Sequence, residues 1–124
     1  MKIAWVVCED VSYQNILSRY IEDRGFLAKT FFQADDCLTS LLSEESPDLI
    51  IIADLKNEQK EEDVIEQIMR INSTQSIITL STTQLMALAQ FELSHDHNEL
   101  NLKTENQSMI RLTKVVKLIE ALNL

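Results

Sequence analysis

The apolar pattern of this chain predicts an alternating α/β domain on a parallel sheet. Two short, continuous apolar runs, Ile3–Cys8 (IAWVVC) and Leu49–Ala53 (LIIIA), have the look of strands buried on both faces. Between and beyond such runs, apolar residues recur at helical spacing. Strands that alternate with helices imply a sheet covered on both faces, with right-handed crossovers. The chain has 124 residues, 45% of them apolar and 25% charged, an ordinary globular balance. It is read as a single domain, 1–124, large enough to bury roughly two-thirds of its unfolded surface without staples.

The first strand is Ile3–Cys8. A helix follows, with Tyr13, Ile16, Leu17, Tyr20 and Ile21 on one face, Ser12 as its expected N-cap and Gly25 as its stop. Phe26–Phe32 is a second, less regular strand. Asp35 or Asp36 is expected to cap a helix carrying Leu38, Leu41 and Leu42, which Pro47 closes off. Leu49–Ala53 is the third strand and runs into Asp54. After the polar stretch KNEQKEED, residues Val64, Ile65, Ile68, Met69 and Ile71 mark a third helix, with Glu58, Glu61, Glu62 and Asp63 as its solvated start. Ser76–Ser81 is a fourth strand and Leu85–Leu93 an apolar helix. Asn98–Leu102 alternates weakly as a fifth strand, and Met109, Leu112, Val116, Ile119 and Leu122 make a last amphipathic helix. Trp5, Phe26, Phe31 and Phe32 are expected in the core, and His95-Asp96-His97 in a solvated loop.

Composition excludes several functions. With one Gly and one Pro there is no G-x-G-x-x-G and no G-x-x-x-x-G-K, so no glycine turn cradles a nucleotide phosphate. The same lack argues against a flavin enzyme. Eleven Lys and Arg against twenty Asp and Glu give a net charge of −9, which suits no direct contact with nucleic acid. The two cysteines, Cys8 and Cys37, have no paired spacing and read as reduced thiols of a cytoplasmic protein. No apolar run has the length of a membrane span, and the first one ends on acids unlike a signal peptide.

In an open parallel sheet, ligands gather at the carboxyl ends of the strands. There stand Cys8, Glu9 and Asp10 after the first strand, Asp54 after the third, Ser81 with Thr82 and Thr83 after the fourth, and Lys103 after the fifth. Converging carboxylates suit Mg²⁺, which keeps several waters and needs only one or two protein carboxylates. Beside such a cation, Asp54 is a candidate nucleophile toward a phosphoryl group, with Ser81 and Lys103 steadying the transferred oxygens.

This arrangement resembles the receiver domain of two-component response regulators, over essentially the whole chain. The resemblance rests on Glu9 and its neighbours, Asp54 in D-L-I-I-I-A-D-L, Ser81 in I-I-T-L-S-T and Lys103 in L-N-L-K-T, in that order. It implies a flavodoxin-like (βα)5 three-layer sandwich whose five-stranded parallel sheet has the order 2-1-3-4-5. It further implies phosphoryl transfer to Asp54, with Mg²⁺ at Glu9, Asp10 and Asp54, from a sensor histidine kinase or phosphotransfer protein. A downstream protein target would read the change. Any phosphotransfer or self-dephosphorylation would belong to the switch, and the chain is not expected to be an enzyme otherwise. Receivers commonly use the face of the fourth helix, fifth strand and fifth helix for contacts. Here that face implies a weak homodimer or partner surface through Leu85–Leu93 and Ile110–Leu122, with Arg111, Lys114 and Lys117 as its cations.

The chain also departs from the family. Counting back from Gly25 without a gap sets Cys8 and Glu9 on the acidic pair, and Cys is a soft ligand unsuited to Mg²⁺. A one-residue slip sets Glu9 and Asp10 there instead. Lys56-Asn57-Glu58 replaces the usual Met-Pro stretch, and Leu100 the usual aromatic. Lys103-Thr104 replaces Lys-Pro, where a cis bond without proline would cost about 3 kcal/mol. These changes support a second reading, a pseudo-receiver that acts as a phosphorylation-independent interaction module.

Overall fold

The computed structural model describes residues 2–53, 55, 61–93 and 117, the side chains of 91–93 excepted. In chain order these form β1 (Lys2–Cys8), α1 (Val11–Glu22), β2 (Phe26–Phe31), α2 (Ala34–Ser43), β3 (Leu49–Ala53), α3 (Glu61–Ile71), β4 (Ile77–Leu80) and α4 (Thr82–Leu93). The four strands make one parallel sheet in the order β2-β1-β3-β4, as expected of the first four strands of the predicted topology. The expected fifth strand, Asn98–Leu102, and nearly all of the last helix lie outside the described residues; Lys117 is helical and exposed.

Alternation along the central strands sorts side chains into two cores. Ala4, Val6 and Cys8 of β1 join Leu49, Ile51 and Ala53 of β3 beneath α1, where Leu17, Tyr20 and Ile21 cover them. Trp5 and Val7 join Ile50 and Ile52 on the other face, covered by Ala34, Cys37, Leu38 and Leu41 of α2 and Val64 and Ile68 of α3. Trp5 also packs tilted against Phe31 at 5.3 Å between centroids. The opposite end of the sheet is tied by Asp48, whose Oδ2 accepts the Ile3 amide at 2.8 Å while its own amide donates to the Ile3 carbonyl at 2.9 Å.

Helix α4 lies with α1, its Leu85, Ala87 and Leu88 buried in the same core. A right-handed step outward from β4 would carry its helix on the α2–α3 face instead. Thr79 of β4, whose side chain points to that face, is exposed among the described residues. Met86 points outward from α4 and is also exposed, so only part of this apolar helix turns inward.

Several sequence expectations are corrected. Asp10, not Ser12, caps α1: its Oδ1 accepts the Tyr13 amide at 3.0 Å, and its carbonyl accepts the Gln14 amide at 2.9 Å. Helix α2 begins earlier than a cap at Asp35 or Asp36 would allow. Gln33 holds the cap position without a side-chain bond, and both acids sit in the first turn, where the helix dipole favours them. Burial of Ala34 in the second core draws that first turn onto the sheet. Phe32 is 48% exposed, because β2 ends at Phe31, which takes the inward position. Leu42 is exposed although it neighbours Leu41 on α2. Gly25 ends the α1 turn as expected, at φ 90°, a left-handed value that costs glycine least.

Cys8 and Cys37 are both buried, on opposite faces of the sheet, and both are free thiols. Burial pushes the Cys37 thiol up to about 12 from its ordinary 9.0, and nearby Lys29 offsets this only in part. Between those values the unfolded chain loses the Cys37 proton and the folded one keeps it, so stability falls as pH rises above about 9. Cys37→Ala should flatten this alkaline decline, at the cost of a small cavity, when urea denaturation is followed from pH 8 to pH 11. A decline equally steep in the variant would place its cause elsewhere.

Candidate functional site

The carboxyl edge of the sheet ends in a level row. Cys8 pairs with Ala53, and Ala53 with Leu80. The next residues in sequence are Glu9, Asp54 and Ser81. Parallel pairing thus ends β1, β3 and β4 level at the residues that precede these three expected site positions in sequence. Asp54 and Lys103 lie outside the described residues, as do His95, Asp96, His97, Leu100 and Thr104.

Glu9 and Asp10 are partly exposed beyond β1. The Cys8 side chain is turned into the α1-side core, where its Sγ donates to the Asp10 carbonyl at 3.5 Å. What the turn offers is therefore two carboxylates, whose oxygens are hard donors. One Asp10 oxygen accepts an amide as the helix cap, and a carboxylate has about four lone-pair directions, so capping leaves coordinating capacity. No group of three His, Cys, Asp or Glu residues suited to a metal occurs among the described residues.

Ser81 stands at the end of β4 and is exposed. Its Oγ accepts the Gln84 amide at 3.2 Å, and its own amide donates to Gln84 Oε1 at 2.8 Å. This reciprocal pair is a capping box, and it starts α4 at the residue after Ser81. The hydroxyl oxygen is engaged as an acceptor, while its proton can still be donated. The pattern S-x-x-Q stands openly in Ser81–Gln84 and is the signal that would have identified the box from sequence.

Gln14 is a second residue that sequence reasoning passed over. It is one of two buried polar residues among those described, and its Nε2 donates to the carbonyls of Cys8 at 3.2 Å and Phe31 at 3.1 Å. The available signal was its place on the apolar stripe of α1, in line with Leu17 and Ile21. Across the sheet edge, Glu61 opens α3, its carboxyl pushed above the usual carboxylate range by burial and then by neighbouring Glu62.

No family model matches the chain, and no curated protein matches its sequence. Solved structures do. The response regulator TrrA from Thermotoga maritima, in complex with Mg²⁺–BeF, is 17% identical, with 96% of this chain and 99% of that one covered at a TM-score of 0.65. A CheY-like receiver domain protein from Methanospirillum hungatei is 12% identical, covering 98% and 96% at 0.64. The apo receiver domain of nitrogen regulatory protein C is 20% identical, covering 98% and 94% at 0.64. The fold is that of a response-regulator receiver domain. At these identities the likeness is one of architecture.

The capping box makes a separable prediction for the receiver fold. Ser81→Ala should lower stability by about 1 kcal/mol through loss of the cap, and Ser81→Thr by much less. Ser81→Ala and Gln84→Ala together should cost less than their sum, because they break the same reciprocal pair. Urea denaturation of the single and double variants measures this, and strict additivity would dissolve the box.

Proposed function

We propose that this chain is a receiver module of two-component signalling, with Asp54 as phosphoacceptor. The observation that carries the reading is the row Cys8–Ala53–Leu80, from which the sequence continues into an acid, an acid and a hydroxyl. An oxygen of Asp54 attacks the phosphorus of a phosphohistidine on a sensor kinase or phosphotransfer protein. The O–P bond forms as the N–P bond breaks, and the released imidazole nitrogen takes up a proton. Ser81 donates its hydroxyl proton to a phosphoryl oxygen while it goes on accepting from Gln84, and Lys103 balances the charge of the group.

Glu9, Asp10 and Asp54 would hold Mg²⁺, for which the oxygen donors of the β1 turn are suited. When bound, that cation neutralises charge on the phosphoryl oxygens. The likeness to a structure complexed with Mg²⁺–BeF supports this assignment. No helix among the described residues is long and apolar enough to cross a membrane, in keeping with a role in the cytoplasm. The downstream contact surface is the outward side of Leu85–Leu93, where Met86 is exposed while Leu85 and Leu88 belong to the core, with Ile110–Leu122 as its second half and a weak homodimer as one product.

A second reading, the pseudo-receiver, draws support from Ser81. Its place in a capping box gives that hydroxyl a structural purpose that needs no phosphate. One experiment separates the two. Incubation with acetyl phosphate and millimolar Mg²⁺, followed by intact mass, should add one phosphoryl group to the wild type and none to Asp54→Asn. An unmodified wild type, with a melting temperature indifferent to Mg²⁺, would establish the pseudo-receiver instead.

A further inference from the structure

We infer that Gln14 is a positioning residue that holds the Glu9–Asp10 turn in the geometry a divalent cation requires. The inference rests on the receiver reading for the identity of the cation, and on the structure for the restraint. Gln14 is 4% exposed, and an amide buried on a helix stripe is costly unless its polar atoms are bonded. Its single NH₂ group serves two acceptors, the carbonyls of Cys8 and Phe31. These are the last residues of β1 and β2, just where the ladder between the strands runs out at Val7 and Phe31. The side-chain amide takes over from the ladder amides and spans the gap.

The restraint acts on Glu9 directly. The Cys8 carbonyl and the Glu9 amide share one planar unit, so holding that oxygen sets the plane from which the Glu9 Cα departs. The far side of the turn is held as well. The Asp10 carbonyl accepts the Gln14 amide at 2.9 Å, and Asp10 Oδ1 accepts the Tyr13 amide at 3.0 Å. Glu9 and Asp10 therefore stand between two anchored peptide units, the first held by the Gln14 side chain and the second by the backbone amide of the helix, which any residue but proline at position 14 would supply. Carboxylates held this way lose less freedom when they bind an ion, which strengthens binding without adding a contact. Partners that orient ligands in this manner change metal affinity by about 10–100-fold when removed.

The test compares Gln14→Met, similar in length but without a donor, with Leu17→Ala, which weakens the same helix through the core and leaves the clamp intact. Gln14→Asn, too short to reach both carbonyls, serves if the methionine variant does not fold. Mg²⁺ affinity is measured by calorimetry, and amide hydrogen exchange at Glu9 and Asp10 without metal. Gln14→Met should weaken Mg²⁺ binding by about tenfold or more and speed exchange at both amides. Leu17→Ala should lose stability and keep its Mg²⁺ affinity. Unchanged affinity and exchange in the Gln14 variant would overturn the inference and leave the receiver reading intact. Equal weakening in Leu17→Ala would also overturn it, by reducing Gln14 to a stability role. A wild type that takes up no Mg²⁺ would overturn both together.

Discussion

Burial of β1 and β3 on both faces is the constraint on which the rest of this structure depends. Every residue of Ala4–Cys8 and Leu49–Ala53 is buried. Each Val, Leu or Ile among them contributes roughly 1.5–3 kcal/mol by leaving water. Since neither face is polar, hydrophobic alternation cannot set the register as it does in a half-exposed sheet. Side-chain size does so instead. Ala4, Val6 and Cys8 leave room for α1, while Trp5 fills the wider space under α2 beside Phe31. A slip of one residue would drive Trp5 into the α1 side and leave a void on the other.

That register carries through to the carboxyl edge. With Cys8, Ala53 and Leu80 in one row, the strands finish level, and α1 and α4 begin within a few residues of it. Each helix then presents unpaired amides at the same edge on which a phosphoryl site would lie. Polar residues there answer to two demands. Asp10 satisfies an amide of α1 and Ser81 an amide of α4, and both are also the groups that metal or phosphate chemistry would use. Gln14 answers a similar demand: its buried amide joins two carbonyls at the point where the β1–β2 pairing ends.

The edge also shows how cap and site become hard to tell apart in this fold. A serine after a strand serves a receiver and a capping box alike, and the box is recognised by its partner, a glutamate or glutamine three residues on. Here Gln84 supplies that partner, and α4 consequently starts at once, with no loop between it and β4. The helix packs beside α1, so the apolar residues Leu85 and Leu88, which could have formed a contact surface, are part of the core.

By itself the sequence determined the alternation of strands and helices, the double-sided burial of Ala4–Cys8 and Leu49–Ala53 (though Ile3, expected with them, is exposed at the strand's start), the glycine stop at Gly25 and the acids that follow β1. Each of these follows from local pattern: continuous apolar runs, helical spacing, a residue able to hold positive φ. The tertiary structure decided the rest, because it depends on what another segment covers. Phe32 looks like core and is half exposed, since the strand ends one residue earlier. Asp10 outcompetes Ser12 for the α1 cap because β1 delivers the chain to the helix at that point. Gln14 reads as one more polar residue until β1 and β2 place two carbonyls within reach of its amide. The face on which α4 lies, and with it which of its leucines are buried, is a property of packing between distant elements that no window of sequence contains.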